Sequence, residues 1–104
     1  MNLKEIILGC NSFEDTEEYI NVVFAQKIGD NFQHNSNAIV LEIPVEEMEN
    51  LKLQELTEKY CTNFDYFLEM SVLQDFYNDL TQMEEYKSDD KKVERLIYYA
   101  KNDA

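Results

Sequence analysis

Residues that readily break regular structure are scarce in this chain: its 104 residues include only Gly9, Gly29 and Pro44 from that class. Linkers between domains are usually rich in glycine, proline and small polar residues, and no such segment is present. Leu, Ile, Val and Phe make up 29 of the 104 residues, above the roughly 20% below which highly charged chains usually stay disordered. We therefore expect one globular domain over residues 1–104.

The charge of the chain is strongly negative, because 22 Asp and Glu outnumber 9 Lys and Arg, which gives −13 at pH 7. Nucleic-acid binding depends on Lys and Arg that neutralise phosphates, and an anionic membrane surface also attracts basic segments. The composition therefore argues against both nucleic acid and membranes as partners. No apolar run approaches the roughly 18 residues of a membrane span. A basic protein is the partner class that this charge favours.

One strand is predicted near the middle of the chain. Residues Ala38 to Ile43 are rich in β-branched side chains and end at Pro44, a pattern typical of a strand. Its antiparallel partner is either Asn31 to His34, through a turn at residues 35–37, or Leu3 to Leu8. The sequence thus predicts a small element of two or three strands around residues 31–43.

Helices are predicted for most of the remaining chain. Ser12 resembles an N-cap, and Phe13, Ile20, Val23, Phe24 and Ile28 follow at helical spacing as far as Gly29. Residues 46–60, 65–82 and 90–101 also show helical periodicity. We expect a predominantly helical α+β domain, with an all-α fold as the alternative.

Catalytic and metal-binding signatures are missing. Cys10, Cys61 and His34 are the only cysteines and histidine, fewer than the four ligands of a structural zinc site. The two glycines form no phosphate-binding loop. A pairing of either cysteine with His34 stays open, although cysteines are most often buried. We expect no enzyme activity, no cofactor and no metal.

The start of the chain does not resemble an export signal, because Glu5 interrupts its short apolar run. Two cysteines do not make a disulfide framework, and reduced thiols are the expectation. We therefore expect a cytoplasmic protein, and a monomer rather than a homo-oligomer.

The most informative segment lies between Lys59 and Lys87, where residues 60–86 contain six acids and no Lys, Arg or His. If residues 65–81 form one helix, four of the acids share a sector with three apolar side chains. Apolar groups could then form the centre of an interface inside a ring of carboxylates. The predicted partner-binding residues are Asp65, Leu68, Glu69, Val72, Asp75, Phe76, Asp79, Glu84 and Glu85.

The same pattern has an ordinary structural explanation. Leu68, Val72 and Phe76 would pack against a second neighbour if this helix were buried on two sides, leaving the acids at its margins. Periodicity cannot distinguish these two arrangements. The other acidic runs, Glu14 to Glu18 and Glu46 to Glu49, are interpreted as residues that match the dipole at helix N-termini.

In small size, strong acidity and acidic-aromatic runs such as residues 63–79 (NFDYFLEMSVLQDFYND), the chain resembles bacterial immunity proteins. In particular, it resembles the cytoplasmic partners of nuclease toxins in contact-dependent growth inhibition. The resemblance implies a toxin inhibitor without catalysis of its own, whose carboxylates would stand in for substrate phosphates in the active site of a basic nuclease. It rests on whole-chain character, so it transfers no individual functional residue.

Two other functions are compatible with this composition, and only the first depends on attraction to a basic partner. A DNA mimic would inhibit a nucleic-acid-binding protein, and it would bind several unrelated basic proteins. A non-catalytic regulatory subunit would use its acidity only for solubility.

Overall fold

A three-stranded antiparallel sheet separates two groups of helices in the computed structural model, which describes residues 1–102. The α+β fold predicted from the sequence is confirmed. In chain order the elements are α1 (Leu3–Leu8), β1 (Tyr19–Ala25), β2 (Ala38–Pro44), α2 (Val45–Asn50), α3 (Leu53–Tyr60), β3 (Asp65–Glu69), α4 (Met70–Thr81) and α5 (Asp89–Asn102), with 3₁₀ turns at Cys10–Ser12 and Glu84–Tyr86.

Strand β1 lies in the centre of the sheet, whose order is β2-β1-β3. It pairs with β2 over its whole length, from Tyr19 opposite Pro44 to Ala25 opposite Ala38. Its pairing with β3 contains a bulge, because Val23 faces Leu68 while the next residue faces Tyr66. The extra residue in β3 is Phe67, which is buried.

Each face of β1 contributes to a separate apolar core. Val23 and Ala25 belong to the larger core, which is completed by residues of α1, α4 and α5. Val22 and Phe24 belong to the smaller core, together with Leu56 of α3. Side chains alternate across a strand, so a strand covered on both faces is apolar at every position.

This burial explains why the predicted helix over residues 13–28 is wrong. The run from Val22 to Phe24 is continuous because β1 is buried on both faces, and its apolar residues also fit a helical period. Ser12 does not cap a helix; its hydroxyl donates a hydrogen bond to the Gly9 carbonyl at 2.8 Å. Gly29, with φ +67°, lies in the turn in which the Ile28 amide donates to the Asn31 carbonyl.

The predicted strand at residues 38–43 is confirmed as β2, but both suggested partners are wrong, since β2 pairs with β1. Residues 31–34 belong to the loop before β2. Leu3 to Leu8 form α1, which starts with a reciprocal capping box: the Asn2 side chain accepts from the Glu5 amide, and the Glu5 side chain accepts from the Asn2 amide.

Among the remaining helix predictions, residues 90–101 are confirmed as α5. The predicted helix 46–60 is interrupted at Leu51, whose backbone is extended and whose side chain packs against the smaller core. Residues 65–69 of the predicted helix 65–82 form β3, and α4 begins only at Met70. Backbone pairing with β1 therefore overrides the helical periodicity of this segment.

The position of β1 can be tested at two residues that the helical interpretation places on one apolar stripe. Phe24 is fully buried, whereas Ile28 is 42% exposed. Phe24→Ala should lower the free energy of unfolding by about 3–5 kcal/mol, because it leaves a cavity in the smaller core. Ile28→Ala should change it by less than about 1 kcal/mol. Urea denaturation would measure both, and equal losses would contradict the strand.

Candidate functional site

The nine predicted partner-binding residues lie on three different elements. Asp65, Leu68 and Glu69 belong to β3, four others belong to α4, and the last two belong to the 3₁₀ turn before α5. The single helical face on which the prediction depended therefore does not exist. The four residues on α4 are Val72, Asp75, Phe76 and Asp79, and the two in the turn are Glu84 and Glu85.

The apolar members of this set contribute to the core. Leu68 is 2% exposed, so it offers no surface to a partner in this conformation. Val72 and Phe76 are half-buried and pack against the larger core. Phe76 also stacks on Tyr99 of α5, with 4.5 Å between the ring centroids. The burial of these three residues thus supports the interpretation that they pack inside the fold.

The acidic members on α4 and the following turn remain exposed. Asp75, Asp79 and Glu85 take part in none of the ion pairs found in residues 1–102. Glu84 pairs with the Lys87 ammonium at 2.8 Å. These four acids form the acidic surface of α4, which lacks the apolar centre that the sequence predicted.

A second acidic surface is created by the sheet topology. In an antiparallel sheet, β1 begins at the end where β2 stops, and Tyr19 accordingly faces Pro44. Glu17 and Glu18 come just before β1, and Glu46 comes just after β2. These three acids therefore meet at one end of the sheet.

The resulting acidic groove is defined by Glu17, Glu18, Tyr19, Pro44, Val45 and Glu46, and it has a volume of about 440 Å³. Tyr19, the first residue of β1, is 41% exposed. The Val45 amide donates to the Glu18 carbonyl at 2.9 Å, which joins the two sides of the groove. Three apolar or aromatic residues thus line the groove together with three glutamates.

The loop that carries Glu17 and Glu18 is held by polar contacts. The Asp15 carboxylate accepts hydrogen bonds from the backbone amide and the side-chain amide of Asn21, at 2.8 and 3.1 Å. The Thr16 hydroxyl oxygen accepts from the Tyr19 amide at 3.0 Å. Both contacts tie the loop to β1 and thereby fix the backbone that carries the two glutamates.

The acids of the groove lack compensating charge. Within residues 1–102, no Lys, Arg or His nitrogen lies within 4.0 Å of the carboxylates of Glu17, Glu18 or Glu46. Nearby, Lys59 and the Tyr60 hydroxyl both contact the Glu47 carboxylate. That contact joins α3 to α2 and leaves the groove itself uniformly acidic.

The sequence pattern predicts helix N-termini at the acids of the groove, so it does not predict this surface. The 14–18 run leads into a strand, although Glu46 does lie in the first turn of α2. The signal that could have found the groove is the β-branched and aromatic run Val22 to Phe24. Interpreted as a strand beside residues 38–43, it places Glu18 next to Val45.

The potentially reactive side chains lie apart from one another. Cys10 is fully buried in the larger core, and burial raises the pKa of its thiol to about 11. Cys61 packs against the smaller core on the other face of the sheet, where burial also raises the pKa of its thiol. Both thiols are therefore protonated near neutral pH and are weak nucleophiles.

His34 faces α5 instead of a cysteine. Its ring nitrogens lie 3.6 Å from the Asp90 carboxylate and 3.8 Å from that of Glu94. Lys4 of α1 pairs with Asp90 at 2.8 Å. This cluster joins α1 and the loop before β2 to α5. In residues 1–102, no group of three or more His, Cys, Asp or Glu side chains could hold a metal ion.

Comparisons with known proteins do not assign the chain to a family: no family model, no curated protein and no solved structure matches it. Over residues 1–102, no helix has both the length and the apolar character needed to cross a membrane.

The Lys4–Asp90 pair predicts a pH-dependent contribution to stability. The hydrogen bond and charge of Lys4 lower the pKa of Asp90 below its ordinary value of 3.8. A group whose pKa falls on folding stabilises the fold above its unfolded pKa, and this contribution is lost as the pH falls through the folded pKa. Asp90→Asn should therefore lower the Tm at pH 7, and the difference from the wild type should shrink below about pH 4.

Thermal unfolding followed by circular dichroism at pH 7 and pH 3 would measure this difference. Asp79→Asn is the matched control, because Asp79 is exposed and takes part in none of the ion pairs found in the described residues. It should leave the Tm unchanged at pH 7. A Tm loss for Asp90→Asn that is as large at pH 3 as at pH 7 would refute the ion pair as its cause.

Proposed function

We propose that this chain is an inhibitor that binds a basic protein and, more specifically, an immunity protein that neutralises a toxin with a nuclease domain. The observation that carries the proposal is the acidic groove, which Glu17, Glu18 and Glu46 line together with Tyr19, Pro44 and Val45, and in which these three carboxylates form none of the ion pairs found in residues 1–102. The net charge of −13 points to the same class of partner.

The groove combines the two parts of a typical steered interface. Burial of Tyr19, Pro44 and Val45 against a partner would remove apolar surface from water, and such a desolvated centre usually dominates binding energy. The surrounding carboxylates would speed up encounter and set the orientation of a basic partner. Carboxylates placed in this way can occupy the sites where a nuclease binds substrate phosphates.

The resemblance to immunity proteins of contact-dependent growth inhibition supports the toxin as the partner. An inhibitor must capture a toxic enzyme before it acts, and electrostatic steering can raise association rates to about 10⁸–10⁹ M⁻¹s⁻¹. A cytoplasmic location follows from this proposal, because an immunity protein works where the delivered nuclease reaches nucleic acid. Two free thiols, Cys10 and Cys61, suit a reducing compartment.

The most direct functional test uses the reading frames beside the gene for this chain. Each would be expressed alone in a bacterial host and then together with this chain. We expect one frame to encode a basic protein that arrests growth, and co-expression of this chain to restore growth. If no adjacent product is toxic, or if the toxic product arrests growth regardless of this chain, the immunity proposal is wrong.

A DNA mimic would behave differently in a binding assay. It would release DNA from several unrelated basic DNA-binding proteins in gel-shift experiments, whereas an immunity protein should affect only the toxin encoded beside it. Release of DNA from two or more unrelated proteins at similar concentrations of this chain would replace the immunity proposal by the DNA-mimic alternative.

Charge-reversal variants can distinguish the effect of the acidic groove on the association rate from the effect of the total charge. The triple variant Glu17→Lys, Glu18→Lys, Glu46→Lys should slow association with the toxin domain by roughly tenfold or more, because it removes the steering field at the contact surface. Stopped-flow fluorescence would measure the rate, and circular dichroism would verify the fold.

The matched control is Asp75→Lys, Asp79→Lys, Glu85→Lys, which changes the net charge by the same amount on the acidic surface of α4. It should slow association much less. Equal effects of the two triple variants would show that only the total charge determines the association rate. A larger effect of the control variant would place the binding site on the acidic surface of α4, as the sequence predicted.

A further inference from the structure

The outer edge of β2 is the more accessible edge of the sheet. Strand β2 stands at one end of the strand order and pairs with β1 along its inner side. Its residues from Ile39 to Leu41 are only half-buried, and Glu42 is exposed. On β3, at the opposite end of the order, Phe67 and Leu68 are each 2% exposed. An added strand would therefore have more surface to contact at β2 than at β3.

Hydrogen bonds at the two ends of the β1–β2 ladder show which backbone groups of β2 face outward. The Gln26 amide donates to the Asn37 carbonyl at 2.8 Å, and the Val45 amide donates to the Glu18 carbonyl at 2.9 Å. Alternate residues of an antiparallel pair exchange hydrogen bonds. The odd-numbered residues from 37 to 45 therefore direct their backbone groups to β1, and the even-numbered residues between them direct theirs outward.

The first residues of the chain occupy one part of this edge. The Ala38 amide donates to the Met1 carbonyl at 3.0 Å, and the Leu3 amide donates to the Ser36 carbonyl at 2.9 Å. Residues 1–3 thus run antiparallel to residues 36–38, with Asn2 opposite residue 37. The structure itself therefore shows that this edge accepts an antiparallel segment.

The outward backbone groups of Val40 and Glu42 are available for pairing. Outside the regular helices and strands, none of the backbone or side-chain hydrogen bonds found in residues 1–102 involves either residue. Glu42 also takes part in none of the ion pairs of these residues. Each of the two residues can therefore offer an N–H donor and a C=O acceptor to an added strand.

The charges at this edge favour a basic occupant. A residue directly opposite Glu42 would place its side chain beside this carboxylate, and opposite charges across a strand pair attract each other. Strand β2 then ends at Pro44, which lines the acidic groove together with Val45 and Glu46. An antiparallel segment would enter the edge from this end, so basic residues that precede its pairing part would meet the carboxylates of the groove.

These contacts agree with the alternation of side chains along a strand. Val40 packs against the larger core and Leu41 against the smaller core, and Glu42 lies on the same face as Val40. A complementary antiparallel segment has a basic residue opposite Glu42, then an apolar residue beside Leu41, then an apolar residue opposite Val40. Each of these side chains falls on the face of the sheet where its contact lies.

A second copy of this chain fits the edge less well. Registers that set Val40 opposite Val40, or Val40 opposite Glu42, would bring the strand of the other copy against Met1, which holds the place beside Ala38. The register that sets Glu42 opposite Glu42 brings like charges together, which destabilises a strand pair. Two chains of charge −13 also repel each other over a longer range.

We propose that the outer edge of β2 binds an extended basic segment of the partner protein, which adds a strand antiparallel to residues 40–42. This inference rests on the proposed function for the basic nature of the partner. The segment exchanges backbone hydrogen bonds with Val40 and Glu42, places a Lys or Arg beside the Glu42 carboxylate, and directs the basic residues that precede it to the acidic groove.

The test uses the full 104-residue chain and the synthetic peptide Lys-Thr-Lys-Thr-Lys-Ile-Val with blocked ends. The last three residues of the peptide supply the pattern expected opposite Glu42, Leu41 and Val40, in that order. Binding is measured by isothermal titration, and amide hydrogen exchange is measured by NMR with and without peptide. We expect saturable binding and slower exchange of the Val40 and Glu42 amides, because these amides become hydrogen-bonded. The Leu41 amide, which faces β1, should change little.

Two singly N-methylated peptides test the backbone pairing. A methyl group on the valine amide removes the donor to the Val40 carbonyl, so this peptide should bind at least about tenfold more weakly. A methyl group on the isoleucine amide, which points away from β2 in the same pairing, should change the affinity less than about twofold. The two peptides have the same charge and composition, so they differ only in the direction of the blocked amide.

Two charge reversals test the contact at Glu42. Glu42→Lys should weaken binding of the unmethylated peptide about fivefold or more, because like charges then face each other across the strand pair. Asp79→Lys is the matched control, since it changes the net charge equally at an exposed residue of α4. It should change the affinity less than about twofold, and circular dichroism would verify the fold of both variants.

The proposal is overturned if the peptide does not bind, if it binds without slowing exchange of the Val40 and Glu42 amides, or if the members of either matched pair behave alike. It is also overturned if these amides exchange slowly without peptide at concentrations where sedimentation shows a dimer, because a second copy would then occupy the edge. The growth assay separates this failure from that of the proposed function. If the chain restores growth while the peptide fails these tests, only the docking edge is wrong.

Discussion

The antiparallel pairing of β1 with both neighbouring strands is the interaction on which the rest of the structure depends. Five consecutive residues of β1, from Asn21 to Ala25, are buried. They supply the contact surface for α1, α4 and α5 on one face and for α3 on the other. Strand β1 therefore contributes side chains to both apolar cores of the molecule.

Strand β1 also determines where the charged side chains can lie. Burying an unpaired carboxylate costs several kcal/mol, so the acids of a chain with two cores are confined to strand ends, loops and outer helix faces. At the start of β1 this constraint brings Glu17 and Glu18 beside the end of β2, while β3 ends in Glu69. Fold and charge distribution are therefore two consequences of one topology, and the basic partner we propose would recognise both.

The sequence predicted the elements whose pattern is local. Strand β2 was predicted from its β-branched run and its end at Pro44, and helix α5 from the helical period of its apolar residues. Strand β1 was mistaken for a helix because its double burial is a tertiary property, and the acidic groove was missed with it. The interpretation of residues 65–81 as one helix failed for the same reason: pairing with β1 converts residues 65–69 into a strand, and that pairing has no signature within the segment.

We propose that uncompensated carboxylates steer this chain to a basic partner. The salt dependence of the association rate with the adjacent-frame toxin domain tests it most directly, measured by stopped flow between roughly 20 and 500 mM salt, over which the screening length falls from about 20 to about 4 Å. Steering predicts that the rate constant falls by roughly tenfold or more across this range. A rate constant that stays flat would contradict the account.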